Sequence, residues 1–139
     1  QANRGDRQSG CVVGLHYHLH QADYWYVPFG TVRVVLHDLR QGSPTEGVTE
    51  QTDLVGTEHR GIFIPPGVAH GFATLTDATI TYMVDSYYNP ADELGVAWND
   101  PEIAADWGLD NPTLSERDQS NPLRNAIPQA DQPRYGLRN

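Results

Sequence analysis

Cys11-Val12-Val13-Gly14-Leu15-His16-Tyr17-His18 is the stretch on which the fold turns. Side chains on a β-strand point to alternate faces. This alternation puts Val13, Leu15, Tyr17 and Leu19 on one side and His16, His18 and His20 on the other. Imidazoles sharing a face in this way come close enough to hold a first-row metal ion. Further β-rich runs cover 23–27, 31–39, 61–64 and 78–85, rich in Val, Ile, Tyr and Thr. Turn residues separate them: Pro28-Phe29-Gly30, Gln41-Gly42-Ser43-Pro44, Pro65-Pro66-Gly67 and Thr76-Asp77. Before residue 100 no long segment carries apolar residues at helical spacing. Short strands at close spacing predict an all-β antiparallel sandwich or jelly roll.

After Tyr88 the texture changes. Asp100-Pro101-Glu102-Ile103-Ala104-Ala105-Asp106-Trp107 predicts one or two helical turns, with Asp100 as cap and Pro101 at the first position. From Gln119 onward the chain has three prolines and few large apolar residues, and reads as a surface-hugging or disordered tail. The expected organisation is one domain over residues 1–118, followed by a polar tail over 119–139.

Composition excludes several classes. The 139 residues carry 18 acids against nine cationic side chains, all of them arginine, for a formal charge of −9. Scattered arginines on an acidic chain do not make a phosphate-backbone binder, so nucleic acid is not an expected partner. No apolar stretch is long enough for a helical membrane span. One cysteine permits neither an internal disulfide nor a thiolate zinc cluster. With no lysine, no amine is available as base, Schiff-base former or phosphate contact.

Wider spacing is more specific. Gly10, five residues, His16, one residue, His18, four residues, Asp23, six residues and Gly30 resemble the first cupin motif, with Asp in place of the usual Glu. Pro65, Gly67 and His70 resemble the centre of the second, with Thr74 where Asn is common. The cupin resemblance implies a double-stranded β-helix, or jelly-roll barrel, in which these positions converge. In metal-binding members the corresponding ligands are His16, His18, Asp23 and His70. Three neutral imidazoles and a carboxylate suit Mn, Fe, Ni, Cu or Zn.

A closer family is carried by ordered strings. These are Gly14-Leu15-His16-Tyr17; Asp38-Leu39-Arg40; Gly42-Ser43-Pro44-Thr45; Ile64-Pro65-Pro66-Gly67-Val68-Ala69-His70-Gly71-Phe72; Tyr82 with Tyr87-Tyr88; Gly95-Val96-Ala97-Trp98-Asn99-Asp100-Pro101; and Leu114-Ser115-Glu116-Arg117-Asp118. Together they resemble the dTDP-4-dehydrorhamnose 3,5-epimerases over roughly residues 1–118. The resemblance implies a cofactor-free isomerase, a cytoplasmic homodimer, acting on a nucleotide-linked 4-keto-6-deoxy sugar. A base removes the proton α to the ketone and an acid returns one on the opposite face. The family's base falls on His16, its orienting carboxylate on Asp118 and its tyrosine acid on Tyr82. A second active-site histidine falls on His70, and nucleotide-facing positions on Gln1, Asn3 and Tyr88. The family also carries a further N-terminal segment that reaches across its dimer, so a trimmed chain or a shorter relative is expected.

The physical logic stands beside the resemblance. A His–Asp pair fixes one tautomer and raises imidazole basicity. Proton exchange at a carbon also requires stabilisation of the developing oxyanion.

Departures from the family fall at charged positions. Val13 stands where the family has an arginine for the diphosphate, and Asp23 where it has a lysine at the ketone. An acidic position on the next strand becomes Val34, and a glutamine becomes His18. Both cationic groups are therefore expected to be missing, while His18 and Asp23 complete the metal pattern. A metal-dependent cupin enzyme is accordingly the alternative function, and a non-catalytic sugar-binding protein the third.

Elsewhere the plainer reading prevails. His20 reads as exposed or loop-structural, His37 and His59 as surface or strand residues, Tyr24, Trp25 and Tyr26 as core or interface, and Cys11 as a small buried residue.

Overall fold

In a computed structural model, residues 1–136 form two antiparallel sheets packed face to face. In chain order the strands are β1 (Ala2–Arg7), β2 (Val12–Tyr17), β3 (Asp23–Phe29), β4 (Thr31–Asp38), β5 (Thr49–Val55), β6 (Gly61–Ile64), β7 (Val68–Thr74), β8 (Ala78–Val84) and β9 (Leu94–Gly95). One short helix, α1 (Glu116–Ser120), follows, with brief 3₁₀ turns elsewhere. The four-stranded sheet runs β1-β8-β3-β6 and the five-stranded sheet β5-β4-β7-β2-β9. This is the all-β jelly-roll class expected from the strand spacing. The last three residues of the sequence-defined tail lie outside the described residues.

Alternation explains the two layers of core. Trp25 and Val27 of β3, Val32 and Val34 of β4, Phe72 of β7 and Ile80 of β8 meet between the sheets. The opposite parity of the five-stranded sheet, with Leu15, Tyr17, Val35, Ala69 and Ala73, faces outward and is also buried. It is covered by Val96, Ile103, Trp107 and Ile127 from the segment after β9. Burying each such large side chain contributes roughly 1.5–3 kcal/mol. β7 is buried at every residue because both of its faces are covered.

One glycine sets which residues of β2 face inward. The pairing of β2 with β7 slips between Val13 and His16. Gly14 there has φ +119°, and a Cβ would come within 2.8 Å of the His70 carbonyl oxygen and the Gly71 Cα. A bulge of this kind moves one residue to the other face. Val13 therefore lines the inter-sheet cavity with His16 and His18, while Val12, Leu15 and Tyr17 enter the outer core. Strict alternation had put Val13 opposite His16; the bulge overturns that.

The segment after β9 is held by specific caps. Asp100 Oδ1 accepts from the Glu102 and Ile103 amides at 2.7 and 3.2 Å, capping a turn at 101–103 where one or two helical turns are expected; no helix forms over 100–107. Its Oδ2 accepts from the Arg124 amide at 2.6 Å. Further on, the Gln41 amide donates to the Pro133 carbonyl at 2.9 Å and the Tyr135 amide to the Gln41 carbonyl at 3.0 Å. Arg40 packs over the Tyr135 ring at 5.2 Å. Its guanidinium also donates twice, at 2.8 Å, to the Asp38 carboxylate, which accepts from Ser43 Oγ and Thr45 Oγ1 at 2.6 Å each.

Of the two readings of His37, surface or strand, the structure shows the strand. The residue is fully buried on β4. The Thr49 hydroxyl donates to the Ile103 carbonyl at 2.8 Å, so its oxygen accepts from His37 Nδ1 at 2.8 Å. His37 Nε2 has no hydrogen-bond partner among the described residues. Protonating it would bury a charge and an unanswered donor. Burial, aided by the charge of Arg124 and opposed by Asp100 and Asp38, pushes its pKa down to about 4. An imidazole lowered in the folded state is protonated first in the unfolded chain. The stability it protects is complete above about pH 6.5 and is lost as pH falls toward 4. Denaturant unfolding between pH 6 and 5 is expected to lose roughly 1.4 kcal/mol per pH unit from this group. His37→Gln is expected to remove that part of the slope, and an unchanged slope would refute the assignment.

Candidate active site

The cavity opens between the sheets and holds about 500 Å³. His16 and His18 come from β2 and its extension, His70 from β7, Asp23 and Trp25 from β3, and Tyr82 from β8. His16 and Tyr82 thus stand on different sheets, so a flat ligand between them meets one on each side. Gln1, Asn3 and Tyr88 also line the cavity. Gln1 Nε2 donates to Asn3 Oδ1 at 2.8 Å, and Gln1 Oε1 accepts from the Tyr88 amide at 3.4 Å.

Asp118 stands behind His16. Ser115 caps α1, its Oγ accepting from the Asp118 amide at 3.1 Å. That cap fixes the first turn and aims the buried carboxylate at β2. His16 Nε2 donates to Asp118 Oδ1 at 2.6 Å, which leaves the lone pair of the neutral ring on Nδ1. Burial works against the carboxylate, but the hydrogen bond and charge of His16, with donors from Ser115 and Gly14, outweigh it. The net effect holds Asp118 below the usual carboxylate range. Tyr82 goes the other way. Burial and the negative charges of Glu93 and Asp23 raise its pKa, only partly offset by Arg7, so it stays protonated at neutral pH.

His70 Nδ1 donates to the Val68 carbonyl at 2.9 Å and its ring meets Trp25 edge-on at 5.2 Å. Burial is the main cause that lowers its pKa; the charge of Asp23 opposes this. The ring is therefore neutral. His18 Nδ1 donates to the Asp92 carbonyl at 2.7 Å. Of the four residues in the cupin ligand pattern, His18, Asp23 and His70 converge. His16 lies outside that cluster, its Nε2 being committed to Asp118.

Several cavity residues escaped the sequence reading. Asp92 is buried and accepts from the Leu19 and His20 amides at 2.7 and 3.2 Å, which fixes the segment after β2. Glu93 reaches the cavity and pairs with Arg117 at 2.8 Å. Nothing local in the sequence marks either one. Arg4 and Arg7 of β1 also line the cavity. No alternation marks them: they stand three apart, on opposite faces of a regular strand, and the strand has almost no apolar residues. The cavity does contain cationic groups, even though the two family positions lack them. His20 is exposed, and His59 sits at a surface turn where its Nδ1 pairs with the Tyr26 hydroxyl at 3.0 Å.

A jelly roll with a cavity between its sheets, walled by a His–Asp pair and a tyrosine from the other sheet, places the chain in the cupin-like class of folds. Within that class the chain belongs to the dTDP-4-dehydrorhamnose 3,5-epimerase family, whose model matches residues 1–125. It is 42% identical over 123 residues to a dTDP-4-dehydrorhamnose 3-epimerase from Streptomyces niveus, covering 86% of this chain and 59% of that protein. It is 40% identical to a dTDP-4-dehydrorhamnose 3,5-epimerase from Pseudomonas aeruginosa, covering 86% and 68%. The chain thus spans about three fifths to two thirds of these relatives. It is also similar to a crystal structure from Legionella pneumophila of dTDP-6-deoxy-D-glucose-3,5-epimerase in complex with dTDP-4-keto-L-rhamnose. The TM-score is 0.93 at 37% identity, over 99% of this chain and 75% of that one. Among the described residues no helix is long and apolar enough to cross a membrane.

Proposed function

We propose that this chain acts as a sugar-nucleotide epimerase, removing and returning the proton α to the ketone of a dTDP-linked 4-keto-6-deoxyhexose at C3, C5 or both. The observation that carries this reading is the 2.6 Å His16–Asp118 pair on one wall of a cavity whose other wall holds Tyr82. His16 is the base. Asp118 fixes its tautomer and stabilises the imidazolium that forms. Tyr82 is the acid that returns a proton to the opposite face. The neutral ring of His70 contacts the sugar. Gln1, Asn3 and Tyr88 hold the nucleotide, and Arg7, close enough to act on Tyr82, supplies positive charge for the diphosphate.

A homodimer belongs to the same proposal. Tyr24, Phe63 and Met83 are 39%, 63% and 55% exposed and are registered cross-strand neighbours on the outer face of the four-stranded sheet. A contiguous apolar stripe of this kind supports a protein interface. A cytoplasmic location goes with a nucleotide-linked substrate.

Incubating the chain with a dTDP-4-keto-6-deoxyhexose in heavy water is expected to place deuterium at C3 or C5 of the sugar. No deuterium at either carbon, in protein with or without added divalent metal, overturns the proposal.

A further inference from the structure

His18, Asp23 and His70 converge in a way that neither the His16–Asp118 pair nor Tyr82 uses. Each ring donates its Nδ1 proton to a backbone carbonyl, Asp92 for His18 and Val68 for His70. In the neutral ring this leaves the lone pair on Nε2. These nitrogens stand 4.0 and 3.9 Å from the two oxygens of Asp23, too far for hydrogen bonds. The carboxylate is oriented from behind by Gln21 Nε2 at 2.9 Å and Trp25 Nε1 at 3.1 Å. The three ligand atoms lie within 4.8 Å of one another, and Asp23 and His70 are buried. The centre is thus ringed by lone pairs.

We propose that this cluster is a binding site for one divalent first-row transition-metal ion, ligated by His18 Nε2, Asp23 and His70 Nε2, with its remaining position open to the cavity. An ion sits about 2.0–2.2 Å from such ligands, which asks each to move inward by roughly half an ångström. Imidazoles whose second nitrogen is fixed by a carbonyl, and a carboxylate held by its own donors, are the outer-shell arrangement of metal-binding residues. Two imidazoles and a carboxylate suit zinc, iron, manganese or nickel.

Charge gives the site its purpose. Without an ion the cluster contributes one negative charge to the cavity wall, which opposes an enolate. With a divalent ion the cluster is net positive. A carbonyl oxygen at the open position would then be polarised and its developing charge stabilised as His16 removes the neighbouring proton. This role rests on the epimerase reading; the binding site itself does not.

The test uses the untagged full chain, stripped with EDTA and titrated calorimetrically with zinc chloride, then with cobalt chloride followed by visible absorption. One ion per chain is expected. Asp23→Asn and His18→Gln are each expected to weaken zinc binding by about 100-fold or more, while His59→Gln leaves it unchanged. No saturable one-to-one uptake, or equal uptake in both ligand variants, overturns the site. If Asp23→Asn does not fold by circular dichroism, His18→Gln decides. The heavy-water assay, run on stripped and zinc-loaded protein, tests the role. Exchange at least tenfold faster with zinc supports it, and equal exchange overturns it. Zinc binding without any exchange sinks the epimerase reading and leaves the site standing.

Discussion

Replacing His16 with asparagine is expected to slow solvent proton exchange at the sugar by roughly 10²–10⁴-fold, the range for losing a positioned general base. The fold should tolerate the change. His16 is a cavity residue with a side chain 17% exposed, and its loss removes no packed apolar group. The price of the substitution is an unpaired Asp118, whose carboxylate has a 4% exposed side chain. The double variant His16→Asn with Asp118→Asn is therefore expected to unfold at a higher temperature than the single one, with equally low exchange. Asp118→Asn alone should fall between wild type and His16→Asn, because the ring keeps its place while losing its fixed tautomer. Exchange rates within threefold of wild type in His16→Asn would remove His16 from the chemistry.

The largest expected loss of stability comes from Asp38→Ala. The Asp38 side chain is 6% exposed and accepts from Arg40 and from the Ser43 and Thr45 hydroxyls. Burial opposes its charge, but those donors hold it far below the usual carboxylate range. Removing one partner of a buried pair costs about 3–5 kcal/mol, since the other is left uncompensated. Arg40 also packs over Tyr135, so this loss should loosen the contact between residues 133–135 and the loop after β4. Thermal unfolding is the measurement, with an expected drop of roughly 10 °C or more. Because a depressed carboxylate stabilises the fold above its unfolded value, wild type should approach the variant as pH falls below about 4. A change under 1 kcal/mol at pH 7 would mean that the network is solvated rather than structural.

The strands that were legible are those with an apolar face. β2, β3, β4, β6 and β8 each bring large apolar or β-branched residues at alternate positions. β1 and β5 are edge strands, Ala2–Arg7 and Thr49–Val55, and almost wholly polar. β1 pairs with β8, far along the chain, and β5 with β4, the strand just before it; with so few apolar residues, neither carries a periodicity to read. β7 was hidden for the opposite reason. Buried on both faces, Val68–Thr74 has no alternation, and Pro65-Pro66-Gly67 drew attention to the turn instead. For the site, the spacing around His16, His18, Asp23 and His70 located side chains that do line one cavity, and ordered strings placed Tyr82 and Asp118 with them. Asp92 went unread because it works through backbone amides 72 and 73 residues away. The functional roles of these residues now rest on the exchange and binding experiments.

The bulge at Gly14 has a meaning for anyone who wishes to move this cavity into another scaffold. Copying the His-x-His pattern onto a regular strand would send Val13 away from the imidazoles and change the wall they share. Two residues without side chains, Gly14 and the Gly71 facing it across the ladder, belong to the portable unit as much as the histidines. A Cβ on Gly71 would meet the Val13 carbonyl at 2.6 Å and the Trp107 ring at 2.8 Å. A graft that transfers the chemistry but not this pair of glycines is expected to fold with its reactive rings misaligned. The smallest transferable module is a piece of backbone, and the functional groups ride on it.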